Sequence, residues 1–171
     1  MIFQMARTTQ LIFEILEAEK ENLFQYASYR LHDIRDVEDV LQNLYVKVLE
    51  NPKHFNGIAN KRAYIYRIIC NECTDVMRTR ASVEPLNNDN MGSFEIGDLQ
   101  PENFEEEFRM INRLLSILPM EQSEVIRLRH HSNLSFQEIA DIMNVPLPTA
   151  KARYRYGIDK IRNSLKKYNL L

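Results

Sequence analysis

Apolar residues in the first half of the chain recur at intervals of three and four, the spacing that places side chains on one face of an α-helix. One such stretch covers about residues 9–31, with room for a break near Glu21. A second covers residues 36–50 and a third about residues 60–80. The pattern therefore predicts three or more amphipathic helices before residue 80.

Residues 134–156 carry the signals of two further helices joined by a sharp turn. Ser135 and Glu138 fit a capping box, in which the hydroxyl and the carboxylate each accept from a free backbone N–H. Asn144 tolerates the positive φ that a tight turn needs. Pro148 suits the first position of a new helix, where a missing N–H costs nothing. This stretch predicts a helix-turn-helix.

Between Arg80 and Phe104 the helical spacing fails, and proline, glycine and asparagine accumulate. A structureless loop of that length is uncommon inside one compact domain, which favours a linker. The chain has only 4 glycines and no tryptophan, and most of it outside this segment has helical spacing. We therefore predict an all-α protein with two small helical domains, at residues 1–80 and 104–171, joined by an acidic flexible linker at 81–103.

Charge is unevenly distributed, although the formal net charge is only −2. Seven Lys or Arg and a single acid lie between Pro148 and Leu171, whereas residues 81–108 contain eight acids and no Lys or Arg. The second helix of the motif would expose Lys151, Arg153, Arg155, Tyr154 and Tyr156. Such a face suits the DNA major groove, where Lys and Arg donate to guanine or to phosphates. Two packed helices with a solvated basic face are the plainer alternative, which leaves Asn144 and the prolines unexplained.

Several other kinds of site are weighed and set aside. Cys70 and Cys73 form a C-x-x-C, and His130 and His131 are adjacent, but the cysteines lie in an apolar helical stretch without a knuckle turn. We therefore expect no metal and no cofactor. No nucleophile with a base, carboxylate pair or phosphate loop indicates an enzyme. We see no membrane span or secretion signal and expect a cytoplasmic protein without membrane insertion.

The order of these parts resembles a known family. The stretch D-V-E-D-V-L-Q-N-L-Y-V-K-V-L at 36–49 is followed by Phe55, by R-A-Y-I-Y-R-I-I-C-N at 62–71, by Leu118 and Pro119, and then by the helix-turn-helix. This succession is similar to the small two-domain sigma factors of bacterial RNA polymerase, and most similar to the extracytoplasmic-function (ECF) group. The resemblance covers about residues 21–167.

The resemblance implies functions for the amino-terminal domain, which would correspond to sigma region 2. Its helix at 36–50 would dock on the clamp of the largest polymerase subunits, through Asp39, Gln42 and Asn43. The loop and helix at about 55–80 would open the minus-10 promoter element and hold a flipped base. The residues implied there are Asn56, Lys61, Arg62, Tyr64, Tyr66, Arg67 and Asn71.

The carboxyl-terminal domain would correspond to sigma region 4 and read the minus-35 element as a duplex. Lys151, Ala152 and Arg155 would approach base edges, and Thr149, Arg153 and Tyr156 the DNA backbone. The implied partners are promoter DNA, the clamp and flap regions of core polymerase, and an anti-sigma factor that restrains such proteins. The acidic linker would thread the polymerase cleft.

The chain departs from the family pattern at Asn43, Tyr64, Cys70, Pro148 and Ala150. These positions commonly hold an acid, a tryptophan, a basic residue, a glycine and a larger aliphatic residue. A one-component transcriptional regulator remains an alternative, in which the amino-terminal helices would sense a ligand or dimerise. It would need a dimer and a palindromic site, whereas a sigma factor would bind promoters as a monomer with polymerase.

Overall fold

The structure of the chain, a computed structural model, describes residues 2–31, 33–83 and 104–167. Its elements are α1 Ile2–Leu31, α2 Ile34–Glu50, a 3₁₀-helix Pro52–Phe55, α3 Lys61–Val83, α4 Phe104–Ser116, α5 Met120–His131, α6 Phe136–Met143 and α7 Leu147–Lys167. No strand occurs among the described residues, so the all-α prediction is confirmed. Most of the predicted linker lies outside the described residues, since α3 continues to Val83 and the next described element begins at Phe104.

Helices α1, α2 and α3 pack against one another and form the amino-terminal module. The break expected near Glu21 is wrong: α1 is continuous, because Leu16 and Leu23 on either side of that position are both fully buried on the same face. Helix α2 begins two residues earlier than predicted, because Asp33 caps it by accepting from the Arg35 N–H at 2.9 Å.

The connection between α2 and α3 is fixed at three points. Phe55 is 1% exposed and anchors the 3₁₀-helix in the core. Gly57 adopts φ 80°, a conformation that costs glycine little. Asn60 then begins α3 by accepting from the Ala63 N–H at 2.9 Å. This loop therefore has a defined position beside the amino end of α3.

Helices α4 to α7 form the carboxyl-terminal module, and its helix-turn-helix is confirmed. Both hydrogen bonds of the Ser135–Glu138 capping box are present, and Asn144 has φ 52° in the left-handed region. Helix α7 begins at Leu147, so Pro148 is its second residue rather than its first. Gly157 lets α7 approach α5 closely, since an added Cβ would lie 2.8 Å from Ile126 Cδ1.

The two modules pack against each other, which the sequence pattern does not predict. Helix α1 contacts α5, and α3 contacts α6. The buried apolar residues of both modules form one continuous cluster, which includes Ile12, Ile69, Val125 and Ile139. The face of α3 that packs against α6 is therefore covered by protein rather than exposed to solvent.

Candidate nucleic-acid and polymerase interface

The outer face of α7 is basic and accessible. Lys151, Arg155 and Tyr156 are exposed, and the Arg155 guanidinium lies 5.1 Å from the centre of the Tyr156 ring. Thr149, Ala152 and Arg153 are half-buried beside them. All six minus-35 candidates thus lie on one helix, and the two basic residues expected at base edges, Lys151 and Arg155, are exposed.

Tyr154 does not belong to that outer face, contrary to the expectation. Its ring is half-buried, and its hydroxyl lies 2.9 Å from His130 Nε2. The Phe136 ring meets it edge-on, with centroids 5.2 Å apart. Tyr154 therefore holds α7 against α5 and α6 rather than presenting a ring to DNA.

Four minus-10 candidates follow one face of α3. Lys61, Tyr64, Arg67 and Asn71 are spaced by three and four residues, so they lie along one side of the helix. Asn56 is exposed on the preceding loop. A cavity of about 170 Å³ opens on this side, and Ile58, Asn60, Ala63, Tyr64 and Arg67 contribute to its wall. Asn60, which sequence reasoning did not include, thus caps α3 and lines this cavity.

Tyr66 lies on the opposite side of α3 from Tyr64. It is fully buried, and its hydroxyl donates to Glu19 at 2.8 Å. Burial and the neighbouring Glu19 raise the pKa of this hydroxyl. Positions two apart on a helix point about 200° apart, so the spacing already indicated different surroundings. In this structure Tyr66 is a core residue and offers no ring to a base.

Arg62 is held by three partners. Its guanidinium pairs with Glu19 of α1 at 2.7 Å, donates to the Ser132 carbonyl at 2.7 Å and lies 3.4 Å from Glu138 of α6. Burial alone would raise the pKa of both carboxyls, but hydrogen bonds to Glu19 from Arg62 and to Glu138 from Ser135 lower them below their ordinary range. Both acids are therefore ionised beside a basic group proposed to bind DNA.

The three polymerase-binding candidates are exposed together on α2. Asp39, Gln42 and Asn43 occupy positions i, i+3 and i+4 of the helix, opposite the buried stripe that includes Val40 and Leu44. Val46 continues this outer face three residues beyond Asn43 and is 46% exposed. Sequence reasoning missed Val46, although its place off the buried stripe was a usable signal.

A buried polar cluster joins the modules at α5. The Glu124 carboxylate pairs with Arg30 and accepts from the Tyr26 hydroxyl, and Arg30 also donates to Thr74 Oγ1 at 3.1 Å. Arg30 and Glu124 are 6% and 7% exposed. Because a buried charge is costly unless it is paired, each of these groups depends on the other across the interface.

The two cysteines lie beside that cluster as free thiols. Cys70 Sγ is 3.6 Å from Glu124 Oε1, and Cys73 is fully buried. Burial raises the pKa of both thiols, that of Cys73 to about 12. In the described part of the chain, no group of three or more His, Cys, Asp or Glu is arranged to hold a metal ion. Nor does any described helix have the length and apolar character to cross a membrane.

Both modules match models of known protein families. A model of sigma-70 region 2 matches residues 15–83, and one of sigma-70 region 4 matches residues 114–163. The ECF RNA polymerase sigma factor SigW of Bacillus subtilis is 25% identical, covering 90% of this chain and 88% of its own. The ECF RNA polymerase sigma-E factor of Escherichia coli K12 is 28% identical, covering 76% and 74%.

Two solved structures have a similar fold over nearly the whole chain. One is CnrH in complex with the cytosolic domain of CnrY, with a TM-score of 0.72 and 18% identity, covering 95% of each chain. The other is RpoE in complex with the anti-sigma factor NepR from Bartonella quintana, with a TM-score of 0.67 and 22% identity, covering 92% of this chain and 95% of that one. With regions 2 and 4 both matched in order, the chain belongs to the sigma-70 family and to its ECF group.

Proposed function

We propose that the chain is a dissociable specificity subunit of RNA polymerase, which selects promoters through two DNA elements and helps to open the duplex. The observation that carries this conclusion is that sigma-70 regions 2 and 4 occur in order in one chain, and that the second has an exposed basic recognition helix. A one-component regulator is not favoured, because its amino-terminal domain would not match sigma-70 region 2.

The two modules have separate tasks in this proposal. Helix α7 reads the minus-35 element in the major groove, with Lys151, Ala152 and Arg155 at base edges. Asp39, Gln42 and Asn43 of α2 contact the polymerase clamp, and Val46 adds an apolar contact beside them. The carboxyl-terminal module meets the flap region.

The face of α3 takes the minus-10 element. Tyr64 borders the cavity beside the loop, where a base extruded from the duplex can stack on its ring. Lys61, Arg62, Arg67, Asn56 and Asn71 hold the adjoining backbone. Extruding a base costs a few kcal/mol, which stacking and phosphate contacts can offset without ATP.

A regulator and a location follow from the same assignment. The solved relatives RpoE and CnrH are in complexes with NepR, an anti-sigma factor, and with a domain of CnrY. We propose that an anti-sigma protein likewise binds this chain, and that the chain acts in the cytoplasm, where polymerase and DNA are found. As a transcription initiation factor it would act by binding rather than by catalysing a reaction of its own.

Transcription in vitro, with purified core enzyme and a set of candidate promoters, tests this function. Lys151→Ala or Arg155→Ala should reduce discrimination between a used promoter and unrelated DNA by roughly 1–3 kcal/mol, because each removes a base-edge donor. Core binding should not change. Arg162→Ala is the matched control, since Arg162 is exposed further along α7 and pairs with Asp159 at 2.9 Å. Equal losses on all DNA sequences would contradict base readout, and the absence of any promoter-directed transcript would contradict the function.

A further inference from the structure

Tyr156 lies on the outer face of α7 and contributes little to the fold. It is 55% exposed, and neither of the two apolar clusters of described residues includes it. Tyr154, two positions earlier, behaves differently, since its half-buried ring packs against Phe136. The ring of Tyr156 therefore has some use other than stabilising the module.

The partner of this ring is the side chain of Arg155. The central carbon of the guanidinium lies 5.1 Å from the ring centre, within the range of a cation–π contact. The Tyr156 hydroxyl is 3.5 Å from Nη2 of Arg155, which is too long for a strong hydrogen bond. The contact is therefore made mainly by the face of the ring and not by the hydroxyl.

Adjacent residues of a helix seldom touch, because their side chains point about 100° apart. Arg155 and Tyr156 can meet because helical side chains lean toward the preceding turn. That turn presents Ala152, three residues before Arg155 and four before Tyr156, and its methyl group leaves space for both. The pair therefore lies beside Ala152, at one of the positions assigned to base edges.

The ring does not compete with an acid for Arg155. In the part of the chain that the structure describes, Arg155 forms no ion pair, and Asp159 one turn further along pairs with Arg162 at 2.9 Å. A carboxylate occupies the N–H donors of an arginine, whereas an aromatic face leaves them available to a second partner. Arg155 is thus held in place and can still donate to guanine.

Holding a long side chain before it binds changes how it selects DNA. A free arginine loses rotamer entropy when it contacts a base, and an arginine already ordered on a ring loses less. The ring also keeps the guanidinium from turning to a phosphate, an acceptor that every DNA sequence offers. Both effects favour only the sequences with an acceptor at the right place, so they increase discrimination more than general affinity.

Lys151 provides a comparison on the same helix. It is exposed one turn before Arg155 and is also assigned to a base edge. Its ammonium group is a compact charge with rotatable donors on a flexible stem, whereas a guanidinium is a rigid fork. We therefore expect Lys151 to accept several bases at its position, and Arg155 to read its own position strictly.

We propose that Tyr156 is a positioning residue for minus-35 recognition: its ring holds the Arg155 guanidinium so that Arg155 discriminates strongly at one base pair. This inference deepens the proposed function and rests on it, since it takes α7 as the helix that reads promoter DNA. It assigns Tyr156 a different role from the contact with the DNA backbone that the family resemblance implies.

The test is selection from a duplex DNA library of random sequence by core polymerase reconstituted with the full-length chain. Arg155→Ala identifies the base pair that Arg155 reads, as the position at which the preference is lost. Tyr156→Ala should weaken the preference at that same base pair by about two- to fivefold, the factor that corresponds to a cation–π contact at an exposed site. The base pair identified by Lys151→Ala should keep its preference.

Tyr156→Phe is the matched control, because it keeps the ring and removes only the hydroxyl. It should select the same sequences as the unmodified chain. In an Arg155→Ala background, Tyr156→Ala should have no further effect at that base pair, since the side chain it positions is gone. Equal weakening on all DNA sequences would indicate a backbone contact and overturn the proposal. A changed preference at a different base pair would overturn it too, because Tyr156 would then read DNA itself.

Proton NMR of the free chain shows whether the contact forms before DNA binds. An aromatic ring shifts the resonances of protons above its face upfield, so the Arg155 side-chain protons should be shifted in the unmodified chain and in Tyr156→Phe, but not in Tyr156→Ala. Unshifted Arg155 protons in the unmodified chain would overturn the proposal.

The selection also separates this inference from the proposed function. If the unmodified chain enriches a promoter sequence and Tyr156→Ala enriches the same one with equal preference at every base pair, only the role of Tyr156 is wrong. If the unmodified chain with core polymerase enriches no shared sequence, the proposed function fails, and this inference with it.

Discussion

His131 lies between the two modules, with its ring stacked on Tyr29 at a centroid distance of 3.8 Å. Burial, together with His130 and Arg127 nearby, lowers the pKa of its imidazole from 6.5 to about 4. The unfolded chain therefore takes up a proton at this residue below pH 6.5, whereas the folded chain does not until about pH 4. The contribution of His131 to stability is complete above pH 6.5 and is lost progressively as the pH falls from 6.5 toward 4.

Acidification to about pH 5 should therefore destabilise the chain by at most about 2 kcal/mol through this residue, and by less where water screens the ring. His131→Phe keeps a ring on Tyr29 and cannot take up a proton, so it should remove that part of the pH dependence. Urea unfolding of both proteins between about pH 7 and 5 measures how the free energy of unfolding depends on pH. Glu19 and Glu138 do not interfere in this window, because their pKa values lie below 4.5. An equal pH dependence of the free energy of unfolding in both proteins would contradict the contribution assigned to His131.

Residues governed by local rules could be predicted from the sequence. The left-handed conformation of Asn144 and the Ser135–Glu138 capping box need only the neighbouring chain, and both are confirmed. Glu124 could not be predicted, because its partner Arg30 is 94 positions away and the pairing exists only after the modules meet. Tyr66 is buried in this structure because it lies two residues from Tyr64, and hence on the other side of α3.

At the scale of elements, periodicity predicted the helices well and their ends less well. Helix α2 begins at Ile34 rather than near Asp36, because a cap lies just outside the apolar pattern. The close approach of α7 to α5 at Gly157 was not predicted, since one glycine inside a helical stretch does not reveal which helix crosses it. An added Cβ there would lie 2.8 Å from Ile126 Cδ1.

Gly157→Ala and Ile126→Val should therefore be coupled. Alanine at 157 favours the helix by about 1 kcal/mol. Where Ile126 is kept, however, its side chain must move to admit the new methyl group. Ile126→Val removes Cδ1 at a cost of about 0.5–1.5 kcal/mol. In the Ile126→Val background, Gly157→Ala should stabilise by about 1 kcal/mol more than in the parent, measured by a double-mutant cycle in urea. Additive effects would show that the two helices adjust without strain.

At the scale of the whole molecule, the sequence predicted two helical units but not their contact. The apolar stripes of each unit are satisfied mainly within it, so nothing in the periodicity requires α6 to lie on α3. The contact depends on matched groups from distant positions, such as Arg62 with Glu138 and Tyr29 with His131. Such pairs can be identified only when the structures of both modules and their contact are known.

The same contact predicts a large rearrangement during initiation. The chain between Val83 and Phe104 can span at most about 75 Å, which allows α3 and α6 to separate widely while both bind one promoter. With core polymerase and a promoter present, spin labels at Asp75→Cys of α3 and Gln137→Cys of α6, both exposed positions, should move from the narrow distance distribution of the free chain to a longer distance. Core enzyme with DNA that lacks a promoter is the control. An unchanged distance in an open promoter complex would mean that α3 binds DNA with α6 still in place, contrary to the roles assigned to Arg62, Arg67 and Tyr64.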